Sequence, residues 1–116
     1  MNSLFSLDLS VNAVIPEFGA PPPARVIAGS PQFRTWEIEA HAGGLFAGVW
    51  ESTPGKWRIE YDEWEYFRIL FGFSIVCEIG FEPKQLRAGD SLIIRPGFKG
   101  TWEVVETTRK EFIIRV

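Results

Sequence analysis

The 116-residue sequence has very few of the side chains that form disulfides or bind transition metals, with one cysteine, Cys77, and one histidine, His41. A single cysteine excludes an internal disulfide and is typical of a protein kept in a reducing compartment. We therefore predict a cytoplasmic location. His41 begins the segment His-Ala-Gly-Gly, so we interpret it as an exposed turn residue and not as a metal ligand.

Long runs of like charge and long apolar runs are also missing. The net charge is −3, and the 12 Lys and Arg residues are scattered along the chain from Arg25 onward, without the basic stripe that binds nucleic acid. No apolar stretch approaches the roughly 20 residues that span a bilayer. The first residues lack a basic n-region, and Asp8 interrupts their apolar part, which is unlike a signal peptide. We predict a soluble single domain that binds neither nucleic acid nor membrane.

A sustained helical period is absent as well, because no window keeps apolar residues at 3.6-residue spacing for three turns. Short segments instead alternate apolar and polar residues between Gly and Pro, which is typical of strands in an all-β sandwich or barrel. Gly48 indicates a bulge or a close backbone approach, and Gly72 indicates a turn. Phe81–Leu86 is a connection or a short edge strand. The predicted strands are Phe33–Glu39, Leu45–Glu51, Lys56–Tyr61, Trp64–Phe71, Phe73–Ile79, Ser91–Ile94, Thr101–Glu106 and Glu111–Val116.

Residues 1–32 form the least regular part of the sequence. They contain five of the eight prolines, which exclude a continuous helix or a central strand. The apolar pieces Leu4–Leu9 and Val11–Ile15 remain able to pair as an edge strand. We predict an irregular N-terminal arm over residues 1–32, running over the domain surface or a partner subunit, and a barrel domain over residues 33–116. A disordered tail is the alternative for the arm.

Two motifs in the second part of the sequence resemble those of the cupin superfamily. Glu65 and Gly72 have the spacing of the first motif, within GKWRIEYDEWEYFRILFG, and Gly89 and Gly97 have that of the second, within AGDSLIIRPGFKGTWEV. The sequence of residues 45–116 is similar to sequences of the cupin group that includes ureidoglycine aminohydrolase and the ethanolamine-utilisation cupins. The resemblance implies a cupin jelly-roll barrel, a double-stranded β-helix, that is often a dimer. We predict a homodimer, with the arm or an edge strand at its interface.

The resemblance also places the positions that commonly bind a metal in cupins. They correspond to Ile59, Tyr61, Glu65 and Gly100, and only Glu65 keeps a usual ligand type. A divalent transition metal generally needs three such ligands. We therefore predict no bound metal and no other cofactor.

The aromatic content of 15% is high, and the rings serve either as bulky core or as pocket lining. Alternation places Trp57, Ile59 and Tyr61 on one strand face. It places Glu65, Phe67, Ile69 and Phe71 on a neighbouring face that points into the barrel if the cupin register holds. From these faces we predict a ligand-binding pocket formed by Trp57, Tyr61, Glu65, Phe67 and Trp102.

Three functions fit this pocket. The first is a metal-independent cupin that binds a small molecule. The second is an enzyme resembling ureidoglycine aminohydrolase, acting on a small polar C–N or carbohydrate-like substrate with Glu65 as general acid or base. The third is a structural or regulatory module whose barrel is filled. The alternative to the catalytic role is a structural one for Glu65. Its charge would be neutralised by an Arg, or its oxygens would accept hydrogen bonds from Tyr61 and backbone donors.

Overall fold

Antiparallel strands make up most of residues 3–116, the part of the chain that the computed structural model describes. The first two residues of the predicted arm lie outside this part. The described helices are a four-residue helix, α1 (Leu7–Ser10), and a 3-10 turn at Pro23–Arg25. The strands are β1 (Glu17–Gly19), β2 (Val26–Gly29), β3 (Phe33–His41), β4 (Leu45–Ser52), β5 (Gly55–Glu60), β6 (Trp64–Glu78), β7 (Lys84–Arg87), β8 (Ser91–Ile94) and β9 (Lys99–Arg115).

The two long strands, β6 and β9, run side by side through both layers of the barrel. The second half of β9 lies between β4 and β6, whereas its first half lies between β5 and β6. The first half of β6 pairs with β8, and its second half pairs with β7. One layer therefore has the order β1-β3-β4-β9-β6-β8, and the other has the order β2-β5-β9-β6-β7. The chain is an all-β jelly-roll barrel, as predicted.

The turn predicted at Gly72 is wrong, because β6 is one bent strand and not two. Gly72 has a φ of +96°, and the pairing of β6 with β9 shifts register on both sides of it. A Cβ on Gly72 would lie 2.1 Å from the carbonyl oxygen of Thr107, so only glycine fits at this bend. The separate strands predicted at the C-terminus are likewise one strand, because β9 changes partner from β5 to β4 without leaving β6.

The same bend corrects the predicted inward face of β6. Glu65, Phe67 and Ile69 are buried between the layers, but Phe71 is 42% exposed. Its ring contacts the guanidinium of Arg109, 5.1 Å from the ring centroid. The prediction for Phe71 failed because the register shift after Ile69 interrupts the alternation of side chains.

The N-terminal arm does pair with the barrel, but not through the apolar segments that the sequence suggested. The strands considered at Leu4–Leu9 and Val11–Ile15 are absent, and α1 overlaps the end of the first piece. Ser6 begins this helix, because its side chain accepts a hydrogen bond from the Leu9 N–H at 3.3 Å. β1 pairs with β3, and β2 pairs with β5, so residues of the arm form an edge of each layer.

Two further features agree with the sequence. A Cβ on Gly48 would lie 2.0 Å from the Trp36 carbonyl oxygen, and β3 shifts register opposite it, which confirms the predicted close approach. Helix content is low, as predicted. Within residues 3–116, none of the helices is long and apolar enough to cross a membrane.

Candidate functional site

A buried carboxylate, Glu65 on β6, lies at the centre of the barrel and is 1% exposed. The Tyr61 hydroxyl donates a hydrogen bond to Glu65 Oε1 at 2.5 Å. The Lys110 ammonium forms an ion pair with Glu65 Oε2 at 2.8 Å. Both oxygens of the carboxylate therefore have a partner. The predicted alternative for Glu65 named Tyr61 correctly, but the neutralising cation is a lysine and not an arginine.

Lys110, on β9, is a part of the site that the sequence analysis missed. Its side chain is buried, and its Nζ lies 4.8 Å from the ring centroid of Trp50 and 4.7 Å from those of Phe67 and Trp102. Such positions over ring faces stabilise a cation. One signal was present: Lys110 alternates with buried Thr108 and Phe112 on the inward side of β9. The predicted strand began one residue too late to include it.

The hydroxyl of Tyr61 remains a hydrogen-bond donor over a wide pH range. Burial of the phenol raises the pKa of Tyr61 well above its usual value, and the negative charge of Glu65 raises this pKa further. Glu65 also accepts the phenol proton in a hydrogen bond, which favours the neutral phenol. The buried carboxylate of Glu65 therefore binds a neutral hydrogen-bond donor, Tyr61, and a cation, Lys110.

We expect Tyr61→Phe to lower the free energy of unfolding by about 1.5–3 kcal/mol near neutral pH, because Glu65 loses a donor. In the wild type, the raised Tyr61 pKa contributes stability that is fully present below the unfolded value of 10.0 and is lost as pH rises toward the folded value. The variant lacks this contribution, so its stability should fall less with pH above 10.0. Urea unfolding at neutral and alkaline pH measures both effects. Tyr66→Phe is the control, and an equal loss in both variants would contradict the assignment.

A small cavity that is partly open to solvent, here called the inner cavity, lies between the two layers beside Lys110. Its volume is about 170 Å³. Of the predicted ligand-binding residues, Trp57, Tyr61 and Trp102 line it. Glu65 and Phe67 do not line it, but both contact Lys110, which does. The lining residues are Phe33, Trp50, Trp57, Ile59, Tyr61, Trp102 and Lys110.

The aromatic wall of the inner cavity is held in a fixed orientation. The indole N–H of Trp102 donates to Ser74 Oγ at 3.2 Å, and the Ser74 and Thr108 hydroxyls are hydrogen-bonded at 2.7 Å. Trp50 packs edge-on against Trp102 with the ring centroids 5.6 Å apart. Phe33 lies 5.1 Å from Trp57, centroid to centroid. These contacts give the cavity pre-formed walls.

The positions that would hold a metal in a cupin do not fit one here. The side chain of Ile59 has no atom that could ligate a metal, and the side chains of Tyr61 and Glu65 are hydrogen-bonded to each other. A Cβ on Gly100 would lie 2.0 Å from the Cys77 carbonyl oxygen and 2.9 Å from Cζ of Phe98. A ligand side chain therefore has no room at this position. Over residues 3–116, no group of three or more His, Cys, Asp or Glu is arranged to hold a metal ion.

The jelly-roll barrel with Glu65 and Gly100 at these positions is that of a cupin in which only Glu65, of the four usual metal-ligand positions, keeps a usual ligand type. The chain belongs to the family of EutQ-like cupin domains, whose model matches residues 39–112. The resemblance to cupins noted in the sequence is thereby confirmed. The sequence matches none of the curated proteins with which it was compared.

Solved structures give the same fold at low sequence identity. A DUF861-family protein of unknown function from Pseudomonas syringae has a TM-score of 0.78 and 23% identity, covering 87% of this chain and 43% of its own. The Clostridium difficile EutQ protein has a TM-score of 0.66 and 16% identity, covering 74% and 64%. The putative ethanolamine utilization protein Q of Salmonella typhimurium has a TM-score of 0.65 and 15% identity, covering 88% and 96%. The chain thus spans less than two thirds of the first two structures, and the likeness shows the fold alone.

Proposed function

We propose that this protein binds a small molecule in the inner cavity and that the Lys110 ammonium orients it. The observation that carries the proposal is a buried ammonium that lines the cavity while its counter-ion, Glu65, lies behind it. An ammonium has three N–H donors, and the 2.8 Å ion pair occupies one of them. A remaining N–H is able to donate to a ligand acceptor.

The cavity favours a neutral, ring-sized ligand. Because Glu65 already balances the charge of Lys110, an anionic ligand would add an uncompensated charge to an apolar site. An apolar protein cavity of about 150 Å³ is large enough for benzene, and the inner cavity has about 170 Å³. Indole and phenyl faces suit a flat or cyclic body. The ligand class is therefore a small cyclic molecule with one carbonyl acceptor.

The enzyme hypothesis with Glu65 as general acid or base has less support. A general base needs hydrogen-bond reach to the substrate proton. Glu65 does not line the cavity, and both of its oxygens are engaged by Tyr61 and Lys110. One of the similar structures is a putative ethanolamine utilization protein by name, but at 15% identity it supports no activity for this chain. An inner cavity of about 170 Å³ also weighs against a completely filled barrel.

Titration with cyclohexanone tests the proposal, because three tryptophans of the cavity wall report on occupancy by their fluorescence. We expect saturable quenching, and roughly fivefold weaker binding of cyclohexane, which lacks the acceptor that a hydrogen bond of about 1 kcal/mol requires. Ile59→Phe should abolish the signal by filling the cavity, whereas Val105→Phe, at an exposed position that does not line the cavity, should leave it unchanged. Absence of saturable quenching, or equal quenching in Ile59→Phe, would overturn the proposal.

The homodimer and the cytoplasmic location stay predictions. Exposed apolar side chains in the arm, Ile15 and Phe18, are consistent with a partner surface.

A further inference from the structure

A second and larger concavity, here called the outer basin, is lined by residues between Val76 and Phe98. Its volume is about 620 Å³. The inner cavity lies beside β4 and β5, whereas the outer basin is bounded by β8 in one layer and the end of β6 with β7 in the other. None of the residues predicted to bind a ligand lines it. The basin is therefore separate from the site proposed above, and it has the volume of a typical ligand pocket.

The floor of the outer basin is apolar and pre-formed. Val76 and Ile94 are each 4% exposed, and Leu92 and Phe98 are half-buried beside them. Phe98 is fixed by its backbone, because its carbonyl accepts a hydrogen bond from the Tyr61 N–H at 2.9 Å. The Phe98 ring packs edge-on against Tyr61, with the centroids 5.9 Å apart. The basin and the inner cavity thus share a rigid wall.

The rim of the basin carries exposed charges of both signs. Arg95 follows β8 in one layer, and Glu78, Glu82 and Lys84 lie at the end of β6 and the start of β7 in the other. Among the residues that the structure describes, none of these four side chains takes part in an ion pair. Charged groups that converge on an apolar floor without a protein partner are able to bind a charged ligand.

We propose that the outer basin binds a small zwitterion with an apolar body, of the class of free amino acids with apolar side chains. A guanidinium binds a carboxylate with two parallel hydrogen bonds, which assigns the ligand carboxylate to Arg95. Glu78 and Glu82, on the facing layer, take the ligand ammonium, and the floor takes the apolar side chain. A purely anionic ligand would face two carboxylates, and a purely cationic one would face Arg95 and Lys84, so the zwitterion is the best electrostatic match.

An NMR titration of the ¹⁵N-labelled protein with L-leucine and L-phenylalanine tests this inference. We expect saturable shifts of the backbone N–H signals of Val76, Leu92 and Phe98, with the indole signals of Trp50 and Trp57 unchanged. N-acetyl-L-leucine lacks the ammonium and L-leucinamide lacks the carboxylate, so each should bind roughly tenfold more weakly, as expected for loss of a charge-assisted hydrogen bond. No saturable shift with either amino acid, or binding of either derivative as tight as that of L-leucine, would overturn the proposal.

Substitutions at the rim separate this site from the inner cavity. Arg95→Gln should weaken L-leucine binding by roughly tenfold without unfolding the protein, because Arg95 is exposed. Arg115→Gln removes the same charge at an exposed position that does not line the basin, and it should bind as the wild type does. Wild-type affinity in Arg95→Gln would contradict the assignment of the carboxylate. Cyclohexanone binding should be unchanged in both variants, so failure of either proposal is recognised independently of the other.

Discussion

Lys110→Met is expected to lower the free energy of unfolding by about 3–5 kcal/mol near neutral pH, which is a large share of the stability of a small domain. The substitution keeps the length and the apolar stem of the side chain but removes the ammonium. Glu65 then remains buried, at 1% exposure, without its counter-ion. The aromatic rings that now face a cation would face a thioether, which is a minor change by comparison. Urea unfolding measures the loss directly.

The double variant Glu65→Leu/Lys110→Met provides the matched control. Replacement of a whole buried ion pair by apolar side chains is often close to neutral, whereas removal of one partner is costly. We therefore expect the double variant to regain most of the stability that Lys110→Met loses. If the double variant loses as much free energy of unfolding as Glu65→Leu and Lys110→Met lose in total when made separately, the ion pair does not explain the effect.

The strands were predictable from the sequence because alternation and the Gly and Pro residues between strands are local properties. The centre of the site was only partly predictable, because it depends on pairing between distant strands. Glu65 was recognised by its place in a motif, but Lys110 belongs to no motif and meets Glu65 only through the pairing of β6 with β9. Phe71 was misplaced because the register shift in β6 leaves no local signal that fixes its position. Close backbone approach was predicted at Gly48, but at Gly72 the sequence did not distinguish a bend from a turn.

The ammonium of Lys110 gives this cupin a positive charge beside the motif carboxylate. In a metal-binding cupin, the corresponding Glu would contribute to a cation site, and here Glu65 binds a cation supplied by the chain. The difference matters for chemistry. A lysine donates protons and hydrogen bonds but has no open coordination position, so the proposed ligand would be oriented by hydrogen bonding and charge. The outer basin, with its own Arg95, does not depend on this centre.

Gly100 is the position at which a single substitution, to histidine, would restore a metal ligand of the cupin motif. Gly100→His would introduce the side chain that the cupin motif carries there, yet a Cβ would lie 2.0 Å from a backbone oxygen, that of Cys77. The same Cβ would lie 2.9 Å from the ring of Phe98. Because Phe98 is held by the Tyr61 backbone, the ring has little freedom to move away. β6 and β9 would have to separate where they pair.

We therefore expect Gly100→His to destabilise the protein by about 3 kcal/mol or more, at the upper end of overpacking effects, and to create no metal site. Urea unfolding measures the first effect, and a cobalt(II) titration followed by absorbance measures the second. Gly43→His is the matched control, because a Cβ at Gly43 would meet nothing within 4 Å, and it should remain close to wild-type stability. A folded Gly100→His variant that binds cobalt stoichiometrically would show that Glu65 can leave Lys110 and Tyr61 for a metal, contrary to the ion-paired site described above.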